Sequence, residues 1–239
     1  DMPTVELQDK EIVVEQGLEL ADGTIEYIKL GKFKVDSAET EAFRTSYRCV
    51  DAMTYKMSTK YESQLTYPTT DLDVLEEVCA QAGISLVNSD LTSHTVSKKL
   101  ENYTKREIIG IIAQLQGKNA IINADGNLEL VWYENADYVI DDSRIYSDRT
   151  DIIKSEINYS LGYIVSTYGS TSIRVGDGET GATISNPYMT QEILDEVFAK
   201  IGGFTFTTAE VDFYGDFRLE VGDIVSLQTD GVTYVLPVM

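Results

Sequence analysis

One histidine, His94, is the whole supply of imidazole in this 239-residue chain. A serine or cysteine triad in most designs needs a histidine base, so His94 is the only residue of that kind available. It lies in the polar, aperiodic stretch between Ser89 and Glu101, where a histidine reads as solvated, and no G-x-S-x-G nucleophile elbow accompanies it. A zinc peptidase needs clustered histidine or cysteine ligands. Cys49 and Cys79 belong to no C-x-x-C and no Cys/His cluster. Both read as reduced core thiols, Cys79 on a helix stripe and Cys49 in a strand, which fits a protein made in a cytoplasm. A glycosidase needs only two carboxylates. Forty acidic residues leave that open, yet no pair stands out. Glu76-Glu77 reads as the polar side of a helix and Asp141-Asp142 as turn chemistry. The run from Val175 to Ala182 places Asp177 and Glu179 among three glycines without the ligand spacing of an EF-hand, and reads as a long hairpin loop. Fifteen tyrosines and the single tryptophan, Trp132, could build a sugar-stacking platform, though their amphipathic rings equally suit half-buried strands and subunit interfaces. No catalytic, cofactor-binding or metal-binding residue is assigned, no cofactor is expected, and the chain is not expected to be an enzyme.

The elements that would position these residues are best punctuated between Tyr67 and Tyr133. Thr70 N-caps a helix with Asp71 and Asp73 in its first turn. Leu72, Leu75, Val78, Cys79 and Ala82 recur at helical spacing, and Gly83 stops the run. Thr104-Lys105-Arg106-Glu107 is a capping box opening a second helix that ends at Gly117. Gly110 sits inside that helix, which predicts close packing against a strand. The period then becomes extended, and Asn119–Asn123 and Leu128–Tyr133 flank Asp125-Gly126, a type I′ hairpin signal. Before this module the pattern predicts strands over Ile12–Leu20, Thr24–Leu30 and Gly31–Val35. A polar turn follows over Asp36–Glu41, then a strand over Phe43–Val50 and a short helical turn within Asp51–Tyr61. After the module come strands at Tyr138–Ile140, Ile152–Asn158 and Tyr163–Tyr168. A helix capped by Thr190 and ended by Gly202-Gly203 precedes a strand at Phe204–Thr208 and a last hairpin over Leu219–Leu227 and Val232–Val238.

The net charge is −21, shared as −4, −6 and −11 among residues 1–60, 61–135 and 136–239. No segment is basic, which argues against binding nucleic acid through its phosphates. There is no apolar run of transmembrane length and no signal-peptide pattern. The chain opens Asp1-Met2-Pro3 and ends inside a predicted strand, so it reads as a piece of a longer protein.

Several stretches resemble the tail-hub proteins of phage and prophage tails, the tail-tip base proteins similar to the central baseplate hub of contractile phages. They are Gly31-Lys32-Phe33-Lys34-Val35, the run from Tyr61 to Leu75, the run from Tyr103 to Gly117, the hairpin from Ala120 to Leu130, Asn186-Pro187-Tyr188-Met189-Thr190, and the closing LEVGDIVSL and YVLPV segments. They lie in the expected order along nearly the whole chain. The resemblance implies an α+β fold, with two strand-rich, barrel-like tube domains and an inserted helix-strand-helix-hairpin module. The parts would be residues 1–60 (a first barrel, incomplete at its N-terminus), 61–135 (the module) and 136–239 (a second barrel-like part with a helix at about 190–201). It further implies three copies in a ring that continues the tail tube and joins it to the tip or spike. The distal tail, tape-measure and tip proteins would be its partners, with no specific nucleic-acid binding and no membrane segment. The protein would belong to the virion tail and be made in the bacterial host cytoplasm. An acidic lumen would let DNA slide without sticking. The alternative reading is a carbohydrate- or receptor-binding module of the tail tip.

Overall fold

Local signals set the helices as expected. In the computed structural model, which describes residues 7–41, 44–88, 90–146, 159–216, 218–229 and 231–238, the chain divides into two compact units. One holds residues 1–113 and 120–130, and the other holds 114–119 and 131–239.

In the first unit, β1 (Glu11–Glu19) and β2 (Ile25–Glu41) form a long hairpin, and β3 (Arg44–Val50) pairs on the other side of β2. The polar turn expected over Asp36–Glu41 is instead the far half of a 17-residue strand. Residues such as Glu39 and Glu41 are polar because they face solvent, and they are held in the ladder opposite Ser46 and Arg44. A bulge at Leu30 and another at Asp36 bend the strand without ending it. Ala42 and Phe43 lie outside the described residues.

Next come α1 (Ala52–Tyr55), N-capped by Asp51, then β4 (Thr69–Thr70) and α2 (Asp71–Ala82). Thr70 caps α2 in a reciprocal box with Asp73, and Gly83 closes it at φ 65. After β5 (Thr95–Val96) comes α3 (Lys105–Gln116), whose box joins Thr104 and Glu107 through 2.7, 2.8 and 3.2 Å bonds. The first two amides of α3, which a helix leaves unsatisfied, donate to Thr59 O and Met57 O. Leu75, Val78, Ile108, Ile109 and Ile112 are at most 2% exposed and make the apolar centre of the module.

The packing expected at Gly110 is absent: a Cβ built there meets nothing within 4 Å. With no steric reason for glycine, Gly110→Ala removes only the glycine's cost in helix propensity. We expect a gain of about 1 kcal/mol, read as a higher urea midpoint with an unchanged slope.

The hairpin of β6 (Asn119–Ile122) and β7 (Leu128–Val131) is present, but its loop is not type I′. Only Gly126 among the loop residues has a positive φ, at 78°, whereas type I′ needs two. Asn123 O accepts from Gly126 N, and the Asn123 side chain accepts from the amides of Asp125 and Asn127, which makes a three-residue loop. Residues 85–88 run beside β7, with Asn88 bonded to both main-chain groups of Leu130.

In the second unit, β8 (Glu134–Asp141) lies parallel to β14 (Asp223–Thr229), which pairs antiparallel with β15 (Val232–Pro237). Ile140, Val225, Leu227 and Leu236 form the core of this sheet. A two-stranded ladder joins β9 (Tyr159–Ser160) to β13 (Thr205–Phe206). The strand expected over Ile152–Asn158 lies outside the described residues. The third sheet contains β10 (Tyr163–Tyr168), β11 (Thr171–Val175) and β12 (Gly181–Ile184), and α4 (Gln191–Ile201), N-capped by Thr190, packs on β10 and β11.

The glycine-rich run is not the expected hairpin loop. β11 runs antiparallel to β10, but β12 runs parallel to β10 on its other edge. The chain between them therefore crosses the start of β10, backbone on backbone. Gly162 N donates to Thr180 O and Gly178 N to Gly162 O. A Cβ on Gly178 would stand 2.6 Å from Gly162 Cα, which only glycine avoids. Fold class is thus α+β and strand-rich, and among the described residues no sheet closes into a barrel.

Candidate functional site

Four aromatic residues from distant parts of the sequence converge in the second unit. Trp132 and Tyr133 lead into β8, and Phe204 and Phe206 come from β13 and the residue before it. Tyr133 stacks on Phe204 with 5.1 Å between centroids and planes 4° apart. Trp132 meets both of them edge-on at 5.1 and 5.3 Å, and Phe206 leans on Phe204 at 5.7 Å. All four rings are half-buried. They line an open groove of about 610 Å³. The crossing loop supplies its polar wall, Glu179 and Thr180, with Asn119 and Ser160 nearby.

The backbone fixes this arrangement. Leu161 N donates to Phe204 O and Gly203 N to Leu161 O, so the start of β13 is held against the entry to β10. Thr180 Oγ1 donates to Ser160 O at 2.8 Å and ties the crossing loop to the same place. At the groove edge the Arg174 guanidinium lies 4.3 Å from the centroid of Tyr163. Chemically the groove offers ring faces and edges beside one carboxylate and several hydroxyl or amide groups, a set suited to a ligand with both apolar and hydroxylated faces. Trp132 was legible as a stacking candidate. Phe204, Phe206 and Glu179 were not, because only the crossing and the β9–β13 ladder bring them to it.

His94 is not solvated. It is 8% exposed, and Asp71, the first residue of α2, is fully buried beneath it. Asp71 Oδ2 lies 2.9 Å from His94 Nδ1, Asp71 Oδ1 accepts from the His94 amide at 2.8 Å, and Asp71 N donates to His94 O at 3.0 Å. The β4–β5 ladder runs on from this pair. A carboxylate holding an imidazole is half of a triad, but burial closes this pair to a substrate. It serves as a clamp between the start of α2 and residues 94–96.

The other acidic candidates are also tied into the fold. Glu77 is not simply a solvated helix position. It accepts from the Tyr61 hydroxyl and, at 2.7 Å, from Gln64 N. Burial, reinforced by that bond, raises the Tyr61 phenol above its ordinary pKa. Asp141 accepts from the Ser143 amide and hydroxyl, and these bonds hold its carboxyl below the usual range. Cys79 is buried and Cys49 half-buried, and both are free thiols. Burial pushes the Cys79 thiol up to about 12. Among the described residues no three His, Cys, Asp or Glu side chains gather as a metal site requires, and no helix is long and apolar enough to cross a membrane.

The first unit presents a different surface, the solvent face of the β1–β2–β3 sheet. Glu11, Val13, Glu15, Gly17 and Glu19 alternate onto this face of β1 and are exposed. Arg44, Ser46 and Arg48 alternate onto the same face of β3, also exposed. On β2, Lys29 and Lys32 lie beside β1 and Lys34 lies between β1 and β3, with Lys29 bonded to Asp125 at 2.6 Å and Lys34 to Asp9 at 3.0 Å. At the hairpin tip Leu18, Ile25 and Tyr27 are 54, 55 and 63% exposed.

No protein-family model matches the chain, and no curated protein matches it. Solved structures do. The tail protein from Neisseria meningitidis MC58 superposes with a TM-score of 0.58 over 96% of this chain and 77% of that chain, at 12% identity. The 43 kDa tail protein of prophage MuSo2 from Shewanella oneidensis superposes with a TM-score of 0.51 over 95% of this chain and 83% of that one, at 14% identity. The chain therefore has the fold of phage and prophage tail proteins, as the sequence resemblance implied.

Proposed function

We propose that this chain is a structural subunit of a phage or prophage tail, placed at the tail tip or baseplate hub. There three copies form a ring that continues the tail tube and joins it to the tip or spike. The observation that carries this reading is the likeness to two tail proteins, which takes in 95–96% of this chain rather than one isolated module. In the ring, the strand-rich parts over residues 1–60 and 136–239 complete barrel-like walls between copies, and the module over 61–135 lies between them in sequence. The distal tail, tape-measure and tip proteins are the partners, the finished protein resides in the virion tail after synthesis in the host cytoplasm, and the chain is not an enzyme. Burial of the Asp71–His94 pair supports this last point. Immunogold electron microscopy with an antibody against this chain tests the reading on particles induced from the source strain. Label at the distal tip of the tail is expected. Label on the capsid, or intact tails that carry none of this protein, overturns it.

A second reading, glycan binding at the tail tip, is favoured by one observation, the aromatic groove. Trp132 is the only tryptophan, so intrinsic fluorescence reports on the groove directly. A saturable change on titration with host wall polysaccharide, lost in Phe204→Ala, is the expected result for a binding module; a flat titration removes it.

A further inference from the structure

The β1–β2–β3 sheet has two open edges, and they differ in charge. Among the described residues β1 and β3 each pair only with β2, so each has one side free for another strand. On the solvent face, β1 carries glutamates at positions 11, 15 and 19, and β3 carries arginines at 44 and 48. Both series repeat every four residues, a spacing of about 13 Å along a strand. Arg44 and Arg48 therefore match either Glu11 with Glu15 or Glu15 with Glu19. Arg48 keeps its side chain 77% exposed although it stands 3.9 Å from Asp36, and Arg44 is exposed opposite Glu41 in the β2–β3 ladder. The exposed Val13 lies between Glu11 and Glu15, as the exposed Ser46 lies between Arg44 and Arg48.

We propose that this sheet joins copies of the chain edge to edge, the acidic β1 edge of one copy against the basic β3 edge of the next. The inference rests on the ring-subunit reading and gives that ring a contact surface. Like edges repel, which disfavours a two-fold dimer through either edge. Unlike edges make a head-to-tail contact, the kind that closes into a ring when the rotation between copies allows.

The test is the light-scattering mass of the whole chain at low ionic strength. Four samples are compared: the wild type, E15K/E19K, R44E/R48E, and the two variants mixed. Glu11 is left in place because it accepts from the Tyr55 hydroxyl at 2.8 Å. The wild type is expected to assemble, and to weaken about tenfold or more when salt shortens the screening length. Each variant alone sets like charges together and associates about a hundredfold more weakly. The mixture regains pairwise association, because the lysines of one variant face the glutamates of the other at one contact and the native charges meet at the next. A ring of three cannot alternate two variants, so the mass recovered is that of dimers and open chains and not of the closed ring. Misfolded variants would give no such rescue. Wild-type assembly that ignores both reversals overturns the edge contact and leaves the ring reading standing. A wild type that stays monomeric up to millimolar concentration also overturns the contact, while the chain's place in the tail is read separately by immunogold.

Discussion

Replacing Gly176 with alanine is expected to cost the second unit about 3 kcal/mol or more. Gly176 has φ +79, where an L-residue costs roughly 1–2 kcal/mol. A Cβ there would stand 2.3 Å from Gly162 O, 2.7 Å from Phe198 Cζ and 2.9 Å from Tyr163 Cα. Phe198 can swing aside, but the other two are backbone of the crossed strand and cannot. Overpacking of this kind adds about 1–3 kcal/mol. Gly169 supplies the control: it has φ +59 and nothing within 4 Å of an added Cβ. Gly169→Ala should show the conformational cost alone, about 1–2 kcal/mol. Urea unfolding of both variants separates the two contributions. Gly176→Ala should also blunt any groove-dependent change in Trp132 fluorescence, because the crossing loop holds Glu179 and Thr180 at the groove wall. Equal costs at the two glycines would mean that the crossing tolerates a side chain and that its tight backbone contacts are not what the glycines serve.

That contrast shows what the sequence made legible and what it did not. Thr70, Asp73, Gly83, Thr104, Glu107, Thr190 and Gly202 marked helix ends correctly, because capping is settled within four residues and needs no distant partner. The resemblance to tail proteins was legible too, since it rested on the order of several weak motifs. The glycines from Gly176 to Gly181 announced a tight loop. Whether the next strand pairs antiparallel or crosses to the far edge of β10 depends on a backbone some fifteen residues earlier in the sequence. Asp36–Glu41 read as a turn because it is polar. A strand exposed on an open sheet loses the apolar alternation by which strands are recognised, and its place is set by pairing with β3. The aromatic groove was half legible: Trp132 stood out as the only tryptophan, while nothing near Phe204 or Glu179 in sequence points toward it.

The burial of His94 is hidden from the sequence for the same reason. A polar stretch without a period says solvent, but His94 is buried and pairs with Asp71, 23 positions earlier. Asp71→Ala removes an acceptor for the His94 amide and the partner of its ring at once, in a place where neither residue is more than 8% exposed. Removing a buried hydrogen-bond partner costs about 1–3 kcal/mol for each polar group left desolvated, and Asp71→Ala does this to both the amide and the ring of His94. The loss should be felt at α2, whose first turn Asp71 occupies, and at the β4–β5 ladder beyond His94. Asp71→Asn keeps an amide oxygen able to accept from the His94 N–H, so it should recover part of the loss. Hydrogen exchange gives the sharper readout. If the pair is a clamp, the amides of His94 and Val96 lose protection in Asp71→Ala, while those in the middle of α3, around Ile109 and Ile112, change only with global stability. If protection falls evenly across the first unit, the pair contributes to the core in general and does not pin the 94–96 segment. If stability is unchanged in Asp71→Ala, the clamp itself is wrong, and a role for His94 at the surface returns to consideration.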